Sequence, residues 1–172
     1  MGLKQMEPVI KKIGNHTFAI VPFPAFKAAN LSGRLTSVLG PVVGAFAPLI
    51  GQAFDDKSNG ERSGDGLMNI DASEAAKALS GCSEIDGDKL ESLMRNLLLG
   101  GHITVQYEDA DGKKKTEKLD ADLANELFCG EVQDMYVLCF YVIQLNFNGF
   151  FKRLAVQSGQ AKSEEKTTRP II

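Results

Sequence analysis

EVQDMYVLCFYVIQLNFNGFFKRLAV, residues 131–156, decides the fold. Val132, Met135, Tyr136, Cys139, Phe140, Ile143, Phe147, Phe150, Phe151 and Leu154 recur at helical spacing, which predicts one long helix from Glu131 to about Val156. From Met135 to Ile143 the run is apolar on every side, so Phe140 and Ile143 are expected in the core. Gln133, Asp134, Gln144, Asn146 and Asn148 make the same helix unsuited to the interior of a bilayer. Such a helix needs other elements to cover it.

Several shorter ones are legible upstream. Leu90, Leu93, Met94, Leu97 and Leu98 form one helical stripe, stopped by Gly100 and Gly101. Pro24 suits the first turn of a helix reaching about Leu39, with Ala28, Leu31, Leu35, Val38 and Leu39 on one face. Asp71 with Glu74, and Asp88 with Glu91, each read as an acidic cap followed three residues later by a glutamate. A short helix after Asp120 carries Leu123, Leu127 and Phe128. Val9 to Ile13 and Thr17 to Val21 flank Gly14-Asn15-His16 as a hairpin, and His102 to Tyr107 with Lys114 to Leu119 suggest a second. The expected fold is α+β and mostly helical: a long C-terminal helix packed on shorter helices, with two small peripheral β-hairpins. A single globular domain is expected over 1–157, with a mobile loop at 55–69 and a disordered tail at 158–172.

LTSVLGPVVGAFAPLIGQAF, Leu35 to Phe54, runs twenty residues without a charge. Its length would reach across a bilayer, but Gly40, Pro41, Gly44, Pro48 and Gly51 interrupt a straight spanning helix. Three readings stand: a surface kept for another polypeptide, a broken helical hairpin closed on its own core, or a contact with a membrane. Val42, Val43, Phe46, Leu49 and Ile50 are the candidate contact residues. Phe147, Phe150 and Phe151 carry a similar choice between core packing and a partner-binding ridge.

The chain has 172 residues and a net charge of −3, enough for one core and without the basic face that nucleic acid requires. Lys113, Lys114 and Lys115 follow Asp109, Asp111 and Gly112 in a hairpin tip and read as a solvated turn. Cys82, Cys129 and Cys139 are odd in number, have no CxxC spacing and read as reduced thiols. Lys4, Glu7, Lys11 and Lys12 leave no hydrophobic region for a secretory signal, which points to the cytoplasm.

Little here suggests catalysis. His16 and His102 lack partners at zinc-site spacing, so no metal is expected. The Asp109–Gly112 and Asp86–Asp88 segments resemble calcium loops only superficially, lacking the closing glutamate. No phosphate loop, nucleophile elbow or paired carboxylates stand out, which leaves only dispersed acids such as Asp71, Asp86 and Asp120 for an enzyme. No cofactor is expected, and a binding protein is favoured over an enzyme.

In order, HTFAIVPFPAF (16–26), RLTSVLGPVVGAFAPLIG (34–51), a polar break, LESLMRNLLL (90–99) and LFCGEVQDMYVLCFYVIQLNFNGFF (127–151) resemble the tail assembly chaperones of long-tailed bacteriophages. The resemblance rests on collinearity rather than on one motif and covers nearly the whole folded part. It implies a non-enzymatic protein of the host cytoplasm that binds the aggregation-prone tape measure protein and leaves as tail tube subunits polymerise. It also implies the tape measure protein as partner, with the tail tube protein and a second copy of the chain as further candidates, and neither nucleic acid nor membrane. A small membrane-interacting protein acting through residues 35–54 is the alternative.

Overall fold

A computed structural model describes residues 7–40, 71–80 and 85–160. The strands are β1 (Val9–Ile13), β2 (His16–Ile20), β3 (Ile103–Glu108) and β4 (Lys114–Lys118). The helices among the described residues are α1 (Ala25–Leu39), α2 (Ala72–Ser80), α3 (Gly87–Leu98), α4 (Ala121–Leu127) and α5 (Val132–Gln160).

The four strands form one antiparallel sheet in the order β1-β2-β3-β4. Phe18 lies opposite Val105 and Ile20 opposite Ile103, which joins two hairpins that lie far apart in the chain. Period-two alternation puts Ile13, Phe18, Ile20, Ile103 and Val105 on one face, and all are buried. The Gly14 turn of the first hairpin has φ +54, a conformation open to glycine at no steric cost. All of β4 is exposed, as suits a lysine-rich edge strand.

The helices cover the apolar face of the sheet. Leu31, Leu35 and Leu39 of α1 are buried at four-residue intervals, as are Leu93, Met94, Leu97 and Leu98 of α3. Between them α5 packs on α2, α3, α1 and β1. Leu138 and Val142 are fully enclosed, and Phe140 and Ile143 are buried, as the apolar run required. Phe18 stacks on Phe128 at 6.0 Å between ring centres, carrying the core from sheet to α4.

Two features correct the expected mostly helical α+β fold with a long C-terminal helix and two small peripheral β-hairpins. The hairpins are not peripheral, because the β2–β3 pairing fuses them into a sheet whose inner face is part of the core. A lone two-stranded hairpin is marginal in water, and pairing the two makes one sheet whose apolar face the helices can cover. The C-terminal helix is not one long regular rod either, since Phe147 has non-helical dihedrals (φ −128, ψ 32) that divide α5 into two helices across a kink. A smaller correction concerns the cap of α3. Asp86, not Asp88, is the N-cap, accepting from the backbone N–H groups of Asp88 and Lys89.

Candidate functional site

The residues chosen from sequence for partner contact are placed unequally. Val42, Val43, Phe46, Leu49 and Ile50 lie outside the described residues, as does most of the uncharged run. Its described beginning is core, with Leu35 fully buried and Leu39 nearly so. Phe147 is also buried, its ring 6.3 Å from that of Phe23. Phe150 and Phe151 fall in α5 beyond the kink, where the side chains are outside the described part.

The segments with superficial ion-site character have structural explanations. Asp109 Oδ1 accepts from the N–H groups of Asp111 at 3.0 Å and Lys113 at 2.9 Å, closing the β3–β4 turn. The Lys113 bond leads the interactions that hold the Asp109 carboxyl below its usual range, helped by the Lys115 ammonium 3.3 Å away. Asp86 is spent as the α3 cap, and Asp120 accepts from Leu123 N–H at 2.9 Å as the α4 cap. Among the described residues no three His, Cys, Asp or Glu side chains gather as a metal site would require.

His102 is buried at the start of β3, its ring 4.3 Å from Phe23 in an edge-on contact. Burial first, and the nearby Lys27 ammonium second, push its pKa down from 6.5 to about 4. The Leu97 backbone opposes this, yet neither ring nitrogen has a well-formed hydrogen bond. Lys27 Nζ also lies 4.6 Å above the Phe23 ring. Gly100 is what lets these groups meet, because a Cβ there would run into Lys27 Nζ and come within 2.9 Å of His102 Nδ1. The cluster is a neutral imidazole held under a cation at the junction of α1, β3 and α5. Buried Cys139, whose thiol burial pushes up, offers no nucleophile either.

Concave apolar surface lies elsewhere. A groove of about 390 Å³ runs between α3 and the pair α4 and α5, lined on one wall by Leu90, Met94 and Leu98 and on the other by Ala124, Met135 and Tyr136. The spacing of four residues in α3 puts its three apolar side chains in one row, while Leu93 and Leu97 turn inward to the core. Glu91 and Arg95 pair at 2.8 Å on its lip, both more than half exposed, so the pair adds little to stability. Methionine on both walls gives adaptable, chemically inert packing. Apolar surface is exposed outside the groove too: Phe26, near the start of α1, is 94% exposed.

Neither the groove nor Phe26 was legible as a candidate. The leucine stripe of α3 read as core, and only the second wall, set by tertiary packing, makes a groove of its outer edge. Among the described residues no helix is long and apolar enough to cross a membrane.

Comparison with curated proteins and with solved structures finds no match. A family model described as phage tail assembly chaperone protein, TAC, matches residues 14–160, from the turn of the first hairpin to the end of α5. With that match over most of its length, this chain belongs to the phage tail assembly chaperone family.

Proposed function

We propose that this chaperone binds the tape measure protein of its phage in the host cytoplasm and keeps it soluble until tail tube subunits assemble around it. The observation that carries the reading is the family match over residues 14–160. It acts by covering apolar surface rather than by changing bonds, and the residues that resemble reactive groups are occupied as caps and turns. Val42, Val43, Phe46, Leu49 and Ile50 supply part of the contact, with Phe150 and Phe151 as a second patch beyond the kink. An uncharged run rich in glycine and proline is too irregular for a simple core helix and too apolar to lie bare in water, which supports its use as a client surface. The exposed ring of Phe26 supports the same view, because a Phe left in water is otherwise a cost.

Co-purification of the client with a tagged chain tests this reading. Val42→Asp and Phe46→Asp are expected to reduce the recovered client while leaving helical content by circular dichroism nearly intact. Loss of helical content would place the segment in the core, and full recovery with a folded double variant would remove it from the contact.

A further inference from the structure

Phe26 is 94% exposed on a helix whose leucines are all buried. Helical spacing puts it at the head of a stripe, Phe26, Ala29, Asn30, Gly33 and Ser37, that points directly away from Leu31 and Leu35, and every member is exposed. Behind the ring the stripe is small and uncharged, which lets another surface approach the helix closely. Lys27 and Arg34, seven residues apart, stand on one flank of it, and α1 contains no acid.

The groove between α3 and the pair α4 and α5 has the complementary features. Its volume of about 390 Å³ exceeds the roughly 150 Å³ that holds a benzene ring. Met94 and Met135 on its two walls offer sulfur to an aromatic edge. Ala121 and Asn125 form its α4 rim, and Asp122 and Glu126, each the next residue in the chain, are exposed along one side of that rim. From Leu119 to Phe151, which supplies α4 and the α5 wall, the chain has five acids and no Lys or Arg. On the α3 wall Glu91 and Arg95 neutralise each other. Among the described residues Arg34, Asp122 and Glu126 have no ion-pair partner. The same chain therefore carries an exposed ring beside an unpaired cation and an apolar groove beside unpaired acids.

We propose that the groove of one copy of this chain receives Phe26 of a second copy, with Arg34 of the α1 so docked set against Asp122 and Glu126 of the groove. The ring fills the methionine-walled groove, and the small residues of the stripe let α1 lie along its α4 rim. Because the contact joins two different patches, it is heterologous: it closes as a reciprocal pair or repeats from copy to copy.

Analytical sedimentation of the full chain over a range of protein and salt concentrations tests this. The average mass is expected to rise with protein concentration and to fall as salt screens the charges. Phe26→Asp, at a site already in water, is expected to weaken the association by about thirtyfold or more. Asp122→Lys with Glu126→Lys is expected to weaken it by about as much, and Asp122→Asn with Glu126→Gln by less. These three sites are exposed, and circular dichroism checks that each variant is folded. A mixture of Phe26→Asp with the double lysine variant is expected to form a 1:1 pair, because the first keeps the groove and the second keeps the ring. A chain that is monomeric at every concentration, association indifferent to Phe26→Asp or to the double lysine change, or a mixture in which no pair forms overturns the proposal. The chain is measured without client, so the result decides this contact apart from the chaperone reading, under which a client competes for the same ring.

Discussion

The backbone N–H of Phe23 donates a 2.7 Å hydrogen bond to Oδ1 of Asn146, tying the entry of α1 to a side chain 123 residues away. Nδ2 of Asn146 donates in turn to the carbonyl of Val142 at 2.8 Å, so both ends of the amide are engaged. The next residue is Phe147, where α5 breaks. A side chain that takes a share of the carbonyl one turn back loosens the helical ladder there, and the Phe23 contact fixes where the chain bends. Asn146→Ala is expected to cost about 1–3 kcal/mol by leaving the Phe23 N–H without its acceptor. Chemical denaturation measures it, and a change near zero would mean that water replaces the amide.

Stability should fall with acid in a window set by His102. Its folded-state pKa of about 4 lies below the ordinary 6.5, so below 6.5 the unfolded chain takes up a proton that the folded chain resists. This contribution is fully present above pH 6.5 and is lost as the pH falls toward about 4, by roughly 3 kcal/mol in all. Urea midpoints measured across that range should show the loss, and His102→Phe should flatten it. Lys27→Met should shrink the window by removing the neighbouring positive charge.

Phe140 and Ile143 face the α2 and α3 side of the core with Leu39, Ala75 and Leu93. Replacing either with alanine should cost about 2–5 kcal/mol by leaving a cavity. A loss below about half a kcal/mol would place that part of α5 at the surface.

Gly14 combines a positive φ with a tight neighbour: a Cβ there would lie 2.7 Å from Oδ2 of Asp134 on α5. Gly14→Ala should lower stability by about 1–2 kcal/mol for the left-handed backbone alone, with a further steric loss. Asp134→Ala in the same chain should recover the steric part only. Full recovery would show that the backbone conformation is not costly.

Local patterns carried most of the elements. Pro24, the α3 leucine stripe and the Asp120 cap each mark a helix that the structure contains, because those signals depend on a few neighbouring residues. The β2–β3 pairing depends on residues more than eighty apart, and only the one-sided apolar pattern of Phe18, Ile20, Ile103 and Val105 hinted that each hairpin needed a partner. The α3 cap was ambiguous because Asp86-Gly87-Asp88 offers two acids, and Glu91, which completed the pattern for Asp88, pairs instead with Arg95 at 2.8 Å. The kink at Phe147 has no proline to announce it, only Asn146, Asn148 and Gly149 around it.

The central claim concerns the client, and its solubility is the direct measurement. The tape measure protein is expressed with increasing amounts of this chain, and the soluble fraction after centrifugation is compared with that obtained without it. The account predicts a soluble fraction that rises with the chaperone and reaches a plateau at a fixed ratio of the two proteins. A soluble fraction unchanged at any ratio, with the chaperone itself folded and abundant, would contradict it.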